Sequence, residues 1–191
     1  TTSDCLRAET KNFLHTCWLN ISGKVRAILE IRFTDQGAEI VVLAGEMDDL
    51  CRGFEMAIFP ADNVQLAPLS QVQRIQYLSL KKLGRFHNIQ WILPGHPLPE
   101  ASADCKALSS NKFERWRMEQ GLPRGAGELN GVNNPFELGL ADLVNSNKGC
   151  YLGQEAIAKL LKAKQVRYQL MFWESDGNLA VGQSLEKVLL E

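Results

Sequence analysis

Two aliphatic runs on either side of a short polar turn constrain the fold of this chain more than any other feature. Residues 25–33 and 38–44 form the runs, and Thr34-Asp35-Gln36-Gly37 lies between them. Aliphatic runs of this length around a glycine-containing turn predict an antiparallel β-hairpin. Residues 46–58 then carry apolar side chains at the spacing of an amphipathic helix, which Pro60 ends. These residues are therefore predicted to form a hairpin followed by a helix.

The other segments also mix short strands with helices. Helices are predicted over residues 112–120, where Ser110 or Asn111 provides the cap, and over residues 154–164. Residues 124–134 are rich in Gly and Asn and predict an exposed loop. Hairpins and helices without regular βαβ alternation indicate an α+β fold. Further strands are predicted over residues 64–69, 75–80, 89–93 and 166–173.

The charge and the hydropathy of the sequence argue against several classes of protein. The formal net charge is −1 and both signs are interspersed, so neither bulk binding to nucleic acid nor binding to an anionic membrane is expected. The sequence has no run of about 18 apolar residues, so no transmembrane helix is predicted. Its first residues lack the basic start and apolar core of a signal peptide. We therefore expect a cytoplasmic protein, or an organelle-matrix protein in a eukaryote.

The cysteines point to a reducing compartment. Their number is odd, they are scattered, and no C-x-x-C pair occurs, which argues against a disulfide framework. The paired spacing of a structural zinc site is also missing, so no metal site is assigned. A cluster assembled from distant cysteines is the alternative. The five are Cys5, Cys17, Cys51, Cys105 and Cys150.

Residues 147–155 (Asn-Lys-Gly-Cys-Tyr-Leu-Gly-Gln-Glu) place one of these cysteines in an unusual setting. Cys150 lies between two glycines, close to Lys148, and just before the predicted helix over residues 154–164. A helix N-terminus carries a partial positive charge, and the ammonium of Lys148 adds a full one. Both favour the thiolate over the thiol, which predicts a reactive cysteine. The alternative is a small buried apolar side chain, the common role of a lone cysteine.

Residues 148–155, KGCYLGQE, resemble the signature of the YgfZ-type proteins, folate-binding relatives of the glycine-cleavage T-protein (aminomethyltransferase). Residues 113–123 are similar to a helix of this superfamily that ends in Arg-x-Glu-x-Gly-x-Pro, and residues 134–140 (NPFELGL) to the stretch before the signature. The resemblance implies the aminomethyltransferase folate-binding fold, with mixed antiparallel sheets and helices around a central cleft. We expect the small C-terminal β-barrel of that fold to be mostly missing or truncated in this sequence.

The resemblance also implies a division into three parts. Residues 1–70 would form an N-terminal α+β folate-binding subdomain, and residues 71–165 a second α+β subdomain that carries the signature. Residues 166–191 would be a remnant of the C-terminal β-barrel.

The implied site combines a reactive thiol with a folate pocket. Glu119 is the candidate pterin contact, because a carboxylate accepts two parallel N–H bonds; the alternative is a solvated charge at a helix end. Lys24 could meet the anionic tail of a folate or simply be solvated. Tyr151 could line the cleft or pack in the core. The catalytic candidates are Cys150 and Lys148, and the folate-binding candidates are Glu119, Tyr151, Gln154 and Lys24.

The function implied is that of a tetrahydrofolate-binding protein that supports iron–sulfur cluster assembly or repair. Its cofactor would be tetrahydrofolate or a derivative, and its partners would be iron–sulfur client or assembly proteins. Two alternatives stay open: a folate-dependent aminomethyltransferase, and a non-catalytic folate-binding scaffold in which Cys150 is structural. The sequence does not decide whether the protein is an enzyme.

Overall fold

The structure is a computed structural model that describes residues 2–3, 13–78, 85–163 and 166–171. Within these residues it has two antiparallel sheets, four α-helices and three 3₁₀ turns. In chain order the strands and α-helices are β1 (Leu14–Leu19), β2 (Val25–Thr34), β3 (Gly37–Gly45), α1 (Met47–Ala57), β4 (Gln73–Gln76), β5 (Ile89–Ile92), α2 (Ser110–Glu119), α3 (Gly125–Glu128) and α4 (Gln154–Ala163).

The first sheet has the strand order β1-β2-β3 and contains the predicted hairpin. Thr34 pairs with Gly37 across a two-residue turn, so the predicted hairpin is confirmed. The register of β2 and β3 shifts once, which leaves Leu43 as an extra residue in β3. The helix predicted after the hairpin is also confirmed, as α1.

Both faces of this sheet are buried at the middle of β2, where residues 27–31 are all buried and four of the five are apolar. One face packs on α1 through Leu29, Ile31 and Leu50. The other face packs on residues far along the chain; its cluster is Cys17, Leu19, Val25, Ile28, Ala44, Leu129, Leu138, Leu140, Leu143 and Ile157. This second cluster brings α4 and the residues before it onto the hairpin. It therefore draws on both predicted subdomains, and the division at residue 70 stays a prediction.

The second sheet pairs β4 with β5. The strand predicted over residues 89–93 is confirmed, and the one over residues 75–80 is confirmed in part, because β4 begins two residues earlier and ends at Gln76. The strand predicted over residues 64–69 is wrong: the segment is exposed and carries no strand. Pro68 interrupts it and has no N–H to give to a sheet.

The predicted helices over residues 112–120 and 154–164 correspond to α2 and α4, within the described residues. The loop predicted over residues 124–134 is wrong in part, since it contains α3 and the buried residues Leu129 and Asn134. Residues 166–171 carry no strand, so the strand predicted there is wrong as far as the structure describes it. The rest of the predicted barrel remnant, residues 172–191, lies outside the described residues.

The fold is thus a mixed α+β arrangement of helices on two small antiparallel sheets, as the sequence pattern predicts. No helix in the described part of the chain is long and apolar enough to cross a membrane.

Candidate functional site

The signature loop, residues 146–153, leads into α4 and packs against the turn between β1 and β2. Gly153 has a φ of +81°, and a Cβ placed there would lie 2.5 Å from the carbonyl oxygen of Asn20 and 2.9 Å from the Cα of Gly23. Only glycine permits both this backbone conformation and this close approach. Gly149 has neither constraint, because a Cβ placed there would meet nothing within 4 Å and its φ is not positive.

Cys150 lies in this loop, four residues before α4 begins, and its side chain is exposed. None of the hydrogen bonds described for this part of the chain involves its thiol. Cys17, in contrast, is fully buried in the core, and this burial raises the pKa of its thiol to about 12. The alternative that Cys150 is a small buried apolar side chain is therefore wrong, since its side chain is exposed, as that of Cys105 also is.

Lys148 connects the signature loop to the beginning of the described chain. Its ammonium donates a hydrogen bond to the carbonyl oxygen of Ser3 at 2.9 Å and lies 5.6 Å from the centre of the Tyr151 ring. Both contacts hold the loop in place, because an ammonium that is hydrogen-bonded and lies over an aromatic face stabilises the folded state. Its predicted role in activating Cys150 stays a prediction.

Tyr151 and Gln154 stabilise the start of α4. The Tyr151 ring packs against the larger core cluster, and partial burial raises the pKa of its hydroxyl. The side-chain oxygen of Gln154 accepts a hydrogen bond from the Tyr151 N–H at 3.3 Å, while the Gln154 N–H donates to the Tyr151 carbonyl at 3.1 Å. The two residues thus form a reciprocal pair that fixes the entry to the helix.

Lys24 faces a buried carboxylate. Its ammonium lies 3.8 Å from Oε2 of Glu137, whose side chain is 7% exposed. The same oxygen accepts the Asn134 N–H at 2.9 Å, and Oδ1 of Asn134 accepts the N–H groups of Phe136 and Glu137. This is a capping arrangement around the NPFEL segment, and Lys24 adds a compensating positive charge to it.

Glu119 lies at the end of α2 and turns away from the core. Its carboxylate accepts a hydrogen bond from Nε of Arg115, one turn earlier, at 2.9 Å, and both side chains are about half exposed. Arg117, on another face of the helix, is buried and holds Glu128 through two nitrogens and Glu114 through Nε. These hydrogen bonds from Arg117 to Glu128 and Glu114 raise the pKa of its guanidinium, although burial opposes them.

A cleft of about 950 Å³ opens between the two sheets and α2. Aromatic rings line it at Tyr77, Phe86, Phe113 and Trp116, and much of the remaining wall is aliphatic. A separate and shallower depression of about 610 Å³ includes Ser3, His15 and Phe86. Volumes of this order, with mostly apolar walls, are typical of small-molecule sites.

Four positively charged side chains also line the large cleft: Arg74, Lys106, Arg117 and Arg124. No Asp or Glu of the described residues is among its lining. The carboxylates of Glu30, Glu114 and Glu128 pair with the three arginines but do not line the cleft themselves. The three arginine charges are thus compensated by three carboxylates, and the cleft wall combines aromatic rings with one lysine, Lys106, for which no ion pair is described.

One buried carboxylate, with the side chains that donate hydrogen bonds to it, joins the two sheets beside the cleft. Glu30 of β2 is 0% exposed and accepts hydrogen bonds from Nε2 of His15 at 2.6 Å, from Nε and Nη2 of Arg74 at 2.9 and 2.8 Å, and from the Trp91 indole. Burial alone would raise the pKa of Glu30, but these donors lower it to about 2. Arg74 belongs to β4 and Trp91 to β5, so one carboxylate holds the second sheet on the first.

The predicted site residues do not come together in one cavity. Cys150, Lys148, Tyr151 and Gln154 share the signature loop, whereas Glu119 lies at the far end of α2, and none of these five lines either cavity. Lys24 also lies outside both. Sequence reasoning missed the Glu30 cluster, although a glutamate inside an aliphatic strand was a usable signal. Within the described residues no group of three or more His, Cys, Asp or Glu is arranged to hold a metal ion.

Comparison with known proteins adds a partial similarity. No protein-family model matches the chain. Over 63 residues the chain is 38% identical to a chloroplast protein of Arabidopsis thaliana whose name places it provisionally among the transferases. The match covers 33% of this chain and 15% of that protein, so the chain spans only a small part of its relative's length. The chain is thus similar, over a third of its length, to a transferase-like protein.

Proposed function

We propose that this protein binds tetrahydrofolate or a derivative in the large cleft and supports iron–sulfur cluster assembly or repair through the thiol of Cys150. The observation that carries the proposal is the lining of the cleft, which combines aromatic rings with Lys106 and the exposed guanidinium of Arg124. A folate is a planar ring system with an anionic tail, so it needs both kinds of surface. The signature that resembles the YgfZ-type proteins supplies the link to iron–sulfur proteins.

The α2 end of the cleft suits the ligand's chemistry best. The Phe113 and Trp116 rings lie 5.9 Å apart, and the guanidinium of Arg124 lies 5.8 Å from the Phe113 ring. A flat heterocycle gains from stacking on such rings. Arg124 is also exposed enough to exchange its partner Glu114 for a ligand carboxylate, and a guanidinium binds a carboxylate through two parallel hydrogen bonds.

Glu119 is compatible with this proposal only if its carboxylate leaves Arg115. An exposed ion pair within one helix is worth roughly 0.3–0.5 kcal/mol, so the exchange costs little. Glu119 would then reach a ligand from the helix end rather than from the wall of the cleft. Its role as the pterin contact is part of the proposal, as are the roles of Tyr151, Gln154 and Lys24.

Calorimetry with 5-formyltetrahydrofolate tests the site. We expect the natural sequence to bind and Trp116→Ala to bind at least about tenfold more weakly, because a lost stacking contact is worth about 1–3 kcal/mol. Phe59→Ala, which removes an exposed ring outside the cleft, is the matched control and should bind normally. Glu119→Gln tests the pterin contact separately. No binding by the natural sequence, or equal binding by Trp116→Ala, would overturn the proposed site.

The similarity to a protein named as a transferase, taken with the resemblance to relatives of the glycine-cleavage T-protein, favours a second candidate, a folate-dependent aminomethyltransferase. This reaction uses a carboxylate beside the transferred carbon, and the cleft lining described above offers none. Transfer of a labelled one-carbon unit to tetrahydrofolate would support it. The third possibility, a non-catalytic folate-binding scaffold, predicts that Cys150→Ala supports iron–sulfur enzymes in cells as well as the natural sequence does. A location in the cytoplasm, or in an organelle matrix, belongs to the same proposal.

A further inference from the structure

The second sheet meets the first through a face that is mostly polar. Arg74 of β4 lies directly opposite Trp91 of β5, so the two side chains project from the same face. Both donate hydrogen bonds to Glu30 of β2. The next pair on that face is Gln76 with Ile89, and Gln76 accepts a hydrogen bond from the Arg74 guanidinium. Ile89 is thus the one aliphatic residue that β4 and β5 place on this face.

Apolar packing between the two sheets is limited in the part of the chain that the structure describes. Neither hydrophobic cluster of the first sheet includes a residue of β4 or β5. The Trp91 ring adds two contacts, to the Phe13 ring at 4.9 Å and to the guanidinium of Arg32 at 5.0 Å. Small polar interfaces between parts of a chain permit relative motion, whereas large hydrophobic ones prevent it. The described contact between the sheets is of the first kind.

One end of the second sheet is fixed more firmly, just before β5 begins. The guanidinium of Arg85 donates to the Gly139 carbonyl at 3.0 Å and forms an ion pair with Asp142 at 2.7 Å. Phe86 packs against the larger core cluster, and its ring stacks on His15 with the centroids 3.8 Å apart. A movement of the second sheet would therefore pivot about this end.

The second sheet is also a wall of the large cleft. Residues 73–78, which contain β4, line the cleft, while α2 and residues 105–108 supply other parts of the lining. Arg74 belongs to this wall and is the residue that binds Glu30 through two nitrogens. The contact between Arg74 and Glu30 thus sets the position of the wall, and a change in that contact would change the width of the cleft.

We infer that the second sheet is a movable wall of the large cleft, which opens as one unit when Arg74 and Trp91 leave Glu30. This inference goes beyond the proposed function and does not depend on what the cleft binds. In the open state water would hydrate the charges of Glu30 and Arg74, which offsets part of the loss of their mutual contact. An apolar interface has no such compensation, because opening it exposes hydrophobic surface to water.

Hydrogen exchange of the backbone amides, measured by NMR at a series of low urea concentrations, tests the inference. In the natural sequence we expect the interstrand amides of β4 and β5 to exchange together, at least about tenfold faster than the slowest amides of β2. Their exchange should depend on urea less steeply than that of β2, because a local opening exposes less surface than global unfolding does.

Two variants separate local opening from global unfolding. Trp91→Phe keeps a ring but removes the N–H that binds Glu30, a contact broken in both the open and the unfolded states. It should therefore speed the exchange of the second-sheet amides and of the slowest β2 amides by the same factor, about tenfold. Ile157→Val loosens a core that stays packed in the open state, since Ile157 is 2% exposed in α4. It should speed the slowest β2 amides about fivefold and leave the second sheet unchanged.

Tyr77→Phe is the matched control for Trp91→Phe. The Tyr77 hydroxyl donates to Gln90 at 3.2 Å, so its loss also removes one donor, but from a bond within the second sheet and its continuation. This variant should change the exchange of the second sheet by less than about twofold, because an exposed hydrogen bond contributes little.

Four results would overturn the inference. In the natural sequence, these are exchange of the second-sheet amides at the same rate as the slowest β2 amides, or exchange at unrelated rates along β4 and β5. In the variants, they are a second sheet that Trp91→Phe leaves unchanged, or equal acceleration of both sheets by Ile157→Val. The measurements contain no folate, so none of these results bears on the proposed folate site.

Discussion

Replacement of the buried carboxylate in Glu30→Gln should destabilise the protein strongly and change how its stability depends on pH. Lowering the pKa of Glu30 from 4.5 to about 2 corresponds to about 3 kcal/mol at neutral pH, since one pKa unit is worth about 1.4 kcal/mol. The change also leaves the guanidinium of Arg74 without its buried counter-charge. Removal of one partner of a buried pair typically costs about 3–5 kcal/mol. We expect a loss in this range.

The sign of the pH dependence follows from the lowered pKa. The contribution of Glu30 is fully present above the pKa of 4.5 that it has in the unfolded chain, and is lost as the pH falls through about 2. The free energies of unfolding of the two proteins should therefore differ most at pH 7 and converge toward pH 2. Urea unfolding, followed by tryptophan fluorescence at a series of pH values, measures this difference.

Glu39→Gln is the matched control for this prediction. Glu39 makes an ion pair with Arg32 on the same sheet, but its side chain is 45% exposed. Exposed pairs contribute about 0–1 kcal/mol, so this variant should change the free energy of unfolding only slightly. The reasoning is refuted if Glu30→Gln is no more destabilising than Glu39→Gln, or if the difference from the natural sequence is the same at pH 3 and pH 7.

Three other predictions concern the signature and α2. At neutral pH, Cys150 should be alkylated fastest and the buried Cys17 slowest, as followed by mass spectrometry of the peptides; equal rates would contradict the claim of a reactive thiol. Gly153→Ala should lower the free energy of unfolding by more than about 2 kcal/mol through strain and overlap, whereas Gly149→Ala should change it by less than about 0.5. Arg117→Lys should cost about 2–4 kcal/mol in urea unfolding, because lysine cannot replace a forked, buried contact; a change below about 1 kcal/mol would argue against that role.

The local elements of the fold were predictable because their signals are local. The hairpin follows from two aliphatic runs and a turn, and α1 from its apolar periodicity. The error over residues 64–69 has an equally local cause, since Pro68 outweighs the surrounding aliphatic residues. The pattern could not show which segments pair with each other. An aliphatic run forms a strand only if another strand is there to pair with it.

The cleft and the Glu30 cluster could not be predicted because they join residues far apart in the chain. Glu30 meets Arg74 across 44 positions and Trp91 across 61. A glutamate in an aliphatic strand indicates that some partner exists, but not which one. The cations of the cleft lining could not be predicted for the same reason. Arg117 resembles its exposed neighbours in sequence, and only the packing of α2 shows that it is buried.

The structure shows a packing or hydrogen-bonding role for four residues of the signature, and shows none for Cys150 or for Gly149. Lys148 binds a backbone carbonyl, Tyr151 packs on the core, Gly153 permits a close backbone contact, and Gln154 fixes the entry to α4. Each of these would be required in a protein without any chemistry at this loop. Cys150 differs, because its side chain is exposed and none of the described hydrogen bonds or core contacts uses it. A loop held on both sides by packing and ending in a helix presents that thiol at a defined position on the surface. A scaffold role therefore explains the lysine, tyrosine, glutamine and second glycine of the signature, whereas the reactivity of its cysteine stays a prediction that the alkylation rates test.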